Sequence, residues 1–83
     1  MRTITTVKDF LDYLDSIGHP KKILLGKKNF WELWYNCPRS QQFMYGSGPA
    51  MNFLATSVYC KDWPKERPDE VDLSEKITFE LQH

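Results

Sequence analysis

Apolar residues near the start of the chain recur with helical spacing. Val7, Phe10, Leu11, Leu14 and Ile17 sit at offsets of 0, 3, 4, 7 and 10, one stripe of a 3.6-residue period. Thr6 stands where an N-cap hydroxyl accepts a free amide, and Asp9 three residues on makes a capping-box-like pair with it. Gly18 supplies a C-terminal stop and Pro20 bars continuation. The spacing predicts an amphipathic helix over 6–17, with Lys8, Asp9, Asp12 and Asp15 in water.

The period then changes. Lys21 and Lys22 open a short apolar run, Ile23-Leu24-Leu25, that ends at Gly26. It reads as a buried strand over 21–25 with a turn at the glycine. Asn29 next resembles an N-cap with Glu32 as its box partner. Phe30, Leu33, Trp34 and Cys37 share a helical face, and Trp31 and Tyr35 lie off it. Asn36-Cys37-Pro38 closes the segment, because a residue before proline avoids the helical region. A short helix over 29–36 is the preferred reading, although a strand rich in aromatics also fits.

Beyond Pro38 the pattern is mostly β. Residues 41–45 read as a strand that stops at Gly46-Ser47-Gly48-Pro49, a strand–strand connection. That glycine-rich stretch lacks the Lys-Ser/Thr of a phosphate-binding loop, and Pro49 removes a backbone donor. Residues 51–60 are ambiguous, since Met51, Leu54, Ala55 and Val58 fit a helix. Thr56, Val58 and Tyr59 favour a strand, with a bend near Ala55-Thr56. Residues 61–75 form a charged, proline-containing loop. Ile77, Phe79 and Leu81 alternate with Lys76, Thr78 and Glu80, the pattern of a half-buried strand over 76–81. No internal repeat is visible. The predicted fold is a small single α+β domain, one or two helices packed on a mostly antiparallel sheet of three to four strands.

Size supports one core only: 83 residues bury about 60–65% of the surface the unfolded chain exposes. No apolar run approaches membrane-spanning length, and the amphipathic start of the chain is unlike a signal peptide, so no membrane partner is expected. Cys37 and Cys60 are too few for a disulfide framework, and free thiols in a reducing, cytoplasmic setting are the expectation. Twelve aromatic residues are more than so small a core easily hides. Exposed aromatics are common anchors of binding sites, and the surplus also allows a homodimer.

Candidate chemistry is sparse. His19, Cys37, Cys60 and His83 show no metal-ligand spacing, so no metal site and no cofactor is expected. His19, in a Gly-His-Pro turn, reads as a satisfied turn histidine rather than a general base for a cysteine. The expectation is a protein that is not an enzyme.

Charge is more telling than its total. Eleven basic and eleven acidic residues cancel, which excludes a uniformly basic or acidic surface. Residues 1–42 hold seven basic and four acidic groups, and residues 43–83 hold four and seven, so the halves carry +3 and −3. Two functional readings follow. The first is a protein-binding module that occludes its partner stoichiometrically, in the manner of a small virus-type accessory or inhibitor protein. Its candidate contacts are Trp31, Tyr35 and Trp63 as anchors, with Lys65, Glu66, Arg67, Asp69 and Glu70 giving electrostatic specificity. The alternative is a nucleic-acid-binding module in which Lys21, Lys22, Lys27 and Lys28 lie beside the stackable rings of Trp31 and Tyr35.

Overall fold

The N-terminal stripe forms the helix that its spacing predicts. In the computed structural model, which describes residues 1–46, 48–61 and 70–81, helix α1 spans Val7–Ser16. The Thr6 hydroxyl accepts the Asp9 amide at 2.9 Å. The Asp9 carboxylate departs from a regular capping box: it accepts the Thr5 amide and pairs with Arg2 at 2.9 Å. At the other end Gly18 adopts φ +90°. The His19 amide reaches the Leu14 carbonyl at 2.7 Å and the Gly18 amide reaches Asp15 at 3.2 Å, the paired bonds of a Schellman cap. Phe10 and Leu14 are buried from the stripe.

Strand β1, Arg2–Ile4, precedes α1 and has no counterpart among the predicted elements. Three residues are too few to show alternation. Their partner is strand β7, Ile77–Phe79, which pairs with β1 in parallel from the far end of the chain. Between them lie β2 (Lys22–Leu25), α2 (Lys27–Asn36), a 3-10 turn at Arg39–Gln41, β3 (Gln42–Tyr45), β4 (Gly48–Phe53), β5 (Thr56–Cys60) and β6 (Val71–Asp72).

Five of these strands form one sheet in the order β3-β4-β5-β2-β6. The α+β class is as predicted, but the sheet differs from the expected one. It has five strands rather than three or four, and it is mixed. β3–β4 and β4–β5 are antiparallel, whereas β2 runs parallel to both β5 and β6. The unbroken Ile23-Leu24-Leu25 run is what a central parallel strand requires, with Ile23 and Leu25 fully buried.

Four local expectations are corrected. The single strand over 51–60 is a hairpin of β4 and β5, turning at Leu54-Ala55, where both residues have positive φ. Asn29 does not cap a helix, because α2 starts two residues earlier with Gly26 at its N-cap. The 61–75 loop is interrupted by β6, which continues the sheet through the Leu73 amide to the Leu24 carbonyl at 3.0 Å. Residues 62–69 of that loop lie outside the described residues. The connection expected over 46–49 is shorter, because Gly48 and Pro49 already belong to β4, antiparallel to β3 with Tyr45 opposite Gly48.

The core lies between the five-stranded sheet and a layer made of α1, α2 and the β1–β7 pair. Ile23, Leu25, Met51, Phe53, Val58 and Cys60 of the sheet meet Ile4, Phe10, Leu14, Phe30, Leu33, Ile77, Phe79 and Leu81. Phe10 is its hub, edge-on to Phe53 at 5.6 Å and to Phe79 at 5.3 Å. Ile77, Phe79 and Leu81 are all buried, as their alternation predicts. Asn29 sits inside this core and behaves like a strand partner. Its amide donates to the Ile77 carbonyl and accepts from the Phe79 amide, both at 3.0 Å. Glu32, one turn on, accepts the Leu81 amide at 3.3 Å. The chain end is thereby bound to α2 along β7.

Candidate functional site

Helix α2 carries a ladder of rings. Phe30 stacks on Trp34 at 6.1 Å and meets Trp31 edge-on at 5.3 Å. Trp31 contacts Trp34 at 5.9 Å and Tyr35 at 6.0 Å. Of the helix's apolar side chains only Phe30 and Leu33 are fully sunk in the core, while Trp31, Trp34 and Cys37 pack against it half-buried. Trp31 is therefore less free than its position off the helical face implies. Tyr35 is 78% exposed.

The end of α2 is where the chain turns into the sheet. Pro38 prevents a further helical turn, and the 3-10 turn delivers Gln42 back to the helix. The Gln42 amide donates to the Trp34 carbonyl at 2.9 Å, filling one of the acceptors that a helix C-terminus leaves open. The Cys37 thiol contacts Met51 Sδ at 3.6 Å and Gln42 Nε2 at 3.7 Å. Burial pushes that thiol up, opposed in part by the Gln42 amide. A thiol held protonated packs well and attacks poorly.

Between α2, the turn and β3 opens a cleft of about 270 Å³, lined by Trp34, Arg39, Gln42, Phe43 and Met44. That is just under the range of about 300–1,000 Å³ typical of small-molecule sites, and it suits one inserted side chain. Met44 is 62% exposed and Phe43 37%. Arg39 makes no ion pair among the described residues. The site thus joins apolar surface, a guanidinium and the outer strand of the sheet. Apart from Trp34, which the sequence places on the apolar face of the helix, none of its lining residues was singled out by the sequence. Neighbouring apolar residues in one strand, Phe43 and Met44, were the available signal: a strand with one helix-covered face buries one of such a pair, and here neither is buried.

The residues expected at a partner site are not all gathered here. Tyr35 projects from α2, and Trp31 links its ring to Trp34. Trp63, Lys65, Glu66, Arg67 and Asp69 lie outside the described residues. Glu70 is half-buried just before β6, at the opposite edge of the sheet from β3. The four lysines separate into two pairs. Lys21 and Lys22 are at the start of β2, and Lys27 and Lys28 are on the first turn of α2, beyond the strand's other end.

His19 is engaged on both ring nitrogens, by Asp15 at 3.2 Å and by the Leu54 carbonyl. It anchors the β4–β5 turn to the end of α1. Cys37 and Cys60 are both free thiols. Among the described residues no group of three or more His, Cys, Asp or Glu is gathered for a metal, and no helix is long and apolar enough to cross a membrane. No protein-family model matches this chain, and no curated protein or solved structure matches it either.

Proposed function

We propose that this chain is a non-enzymatic protein-binding module whose contact surface is the α2–β3 face. The observation that carries the reading is the cleft lined by Trp34 and the exposed Phe43 and Met44, with Tyr35 exposed on the helix that borders it. Aromatic anchors flanking a pocket sized for one side chain are the usual centre of a protein interface. Binding there occludes the partner stoichiometrically, as a small virus-type accessory or inhibitor protein does. The two unlinked thiols suit a reducing compartment such as the cytoplasm.

The test is affinity capture from native lysate with the wild-type chain and with a Tyr35→Ala/Met44→Ser double variant, each checked for an unchanged circular dichroism spectrum. The expected outcome is a protein retained by the wild type and lost by the variant. Equal capture by both overturns the assignment of this face.

The nucleic-acid reading keeps one supporting observation. Lys27, Trp31 and Tyr35 fall at i, i+4 and i+8 of α2, a basic and aromatic stripe along one helix face. Fluorescence anisotropy with short labelled single strands, at low and moderate salt, decides it. Salt-dependent binding supports that reading, and its absence removes it.

A further inference from the structure

The two edges of the five-stranded sheet are finished differently. β6 is two residues long, and its Asp72 is tied to Lys61 at 3.1 Å. A short, charged edge is one of the ways natural sheets prevent unwanted pairing. β3, Gln42-Phe43-Met44-Tyr45, has four residues and carries no charge and no proline. Among the described residues it pairs with β4 only.

Register shows which backbone groups β3 offers. Tyr45 faces Gly48 across a two-residue connection, and the pair closing such a hairpin is hydrogen-bonded. Alternation makes Phe43–Ala50 the next bonded pair and Met44–Pro49 an unbonded one. Pro49, which has no N–H, therefore sits where none is needed toward β3. The N–H and carbonyl of Met44 point away from β4 into the open edge. The Gln42 carbonyl does the same, while its N–H is already held by the Arg39 carbonyl. Gln42 and Met44 share the helix-side face with the cleft, and Arg39, which makes no ion pair among the described residues, is part of its lining.

Resting on the binding-module reading, we propose that β3 takes an extended, acidic peptide segment of the partner protein as an added strand. Backbone bonds form at Met44, an apolar side chain of the segment enters the cleft beside Trp34, and an Asp or Glu carboxylate pairs with Arg39. Strand addition draws affinity from main-chain bonds and specificity from pockets for alternate side chains. Arg39 sets the sign of the charge, because among the described residues it is the only ionisable group lining the cleft and makes no ion pair.

The test is selection of a displayed library of random nonapeptides on the immobilised full-length chain, followed by titration of the synthetic winners. The expected winners alternate apolar residues with Asp or Glu and protect the Met44 amide from hydrogen exchange. Met44→Pro removes the outward N–H at an edge position where proline is tolerated, so it should keep the fold and weaken binding at least tenfold. Met44→Ala, which keeps the N–H, should weaken it less. Arg39→Glu should also cost at least tenfold and shift selection toward basic peptides. Winners without acidic residues, or binding indifferent to both Met44→Pro and Arg39→Glu, overturn the proposal. If those winners are lost on Tyr35→Ala, the binding module stands and only strand addition falls. A library with no winners overturns strand addition too. A dimer in sedimentation that Met44→Pro dissolves would then assign the edge to a second copy.

Discussion

Helices α1 and α2 are each ten residues long, and they are secured in opposite ways. α1 carries its own instructions: a capping hydroxyl at Thr6, an apolar stripe, and a glycine at positive φ that closes a Schellman cap. α2 has no side-chain cap, no acidic residue in its first turn and no basic residue in its last. Two lysines even face the unfavourable end of the helix dipole. What holds it is distant in sequence. Asn29 and Glu32 bind the chain end at Ile77, Phe79 and Leu81, and Gln42 closes its C-terminus from β3. A helix fixed by its neighbours can leave one flank uncommitted, and α2 is the helix that borders the cleft.

The largest effect expected from this contrast is at Asn29. Asn29→Ala leaves the Ile77 carbonyl and the Phe79 amide without partners in a buried setting, at a cost of about 3 kcal/mol. In a domain this small that lowers the thermal midpoint by roughly 10–20 °C. Hydrogen exchange should show the β7 amides opening first. A loss below about 1 kcal/mol would mean that water replaces the side chain and that α2 is not held from β7.

Thr6→Ala should cost about 1 kcal/mol, the ordinary worth of an N-cap, with Thr6→Ser nearly neutral. Urea titrations of the two variants compare them directly. If Thr6→Ala costs as much as Asn29→Ala, the division between a self-capped and a tertiary helix fails.

A smaller effect belongs to β6, the short edge strand beside β2. The Ser74 hydroxyl, the Ser74 amide and then Lys61 hold the Asp72 carboxyl down at about 2, below its unfolded value of about 3.9. A lowered carboxylate contributes stability above the unfolded value, and that contribution disappears as pH falls from about 5 to 2. Asp72→Asn should therefore be slightly less stable at neutral pH and show a flatter decline across that acid window. Because the carboxylate is nearly half exposed, solvent screening keeps the difference small. Chemical denaturation at pH 7, 4 and 2.5 measures it. A wild type and variant with parallel pH profiles would show that Asp72 does not secure β6.

Tyr35→Ala should change stability least, within about 0.5 kcal/mol, because its ring lies mostly in water. Partner capture should nevertheless fall. A variant that unfolds would show that the ring supports Trp31 rather than a ligand.

The contrast also explains which parts of the fold were legible. The ends of α1 could be read because every bond that caps it lies within a few residues. The strand over 76–81 could be read because alternation is local too. Asn29 with Glu32 imitates a capping box in sequence, but both side chains serve backbone groups more than 45 residues away. Nothing near them in the chain could reveal that. The break near Ala55-Thr56 was legible as a bend, but its being a full hairpin turn at Leu54-Ala55 was not, for a different reason. Two-residue turns of this kind favour Asn or Gly, and here His19 grips the Leu54 carbonyl instead.

The same distinction applies to the candidate site. Tyr35 was identifiable as an off-face aromatic on a helix. Arg39, Phe43 and Met44 became a site only when β3 took the outer place in the sheet. Edge or centre is decided by which strands pair, and pairing is a long-range choice.

For this protein, then, the sequence alone determined one small α+β domain, the position and caps of α1, the apolar faces of β2 and β7, and a zero net charge made of unlike halves. These follow from periodicity, backbone preference and composition, which act within a few residues or over the chain as a sum. Only the tertiary structure decided the parallel pairing of β2, the role of Asn29, and the open edge and cleft beside α2. Each of those depends on contacts between segments far apart in the chain, where the free energy of burial and backbone pairing outweighs local preference.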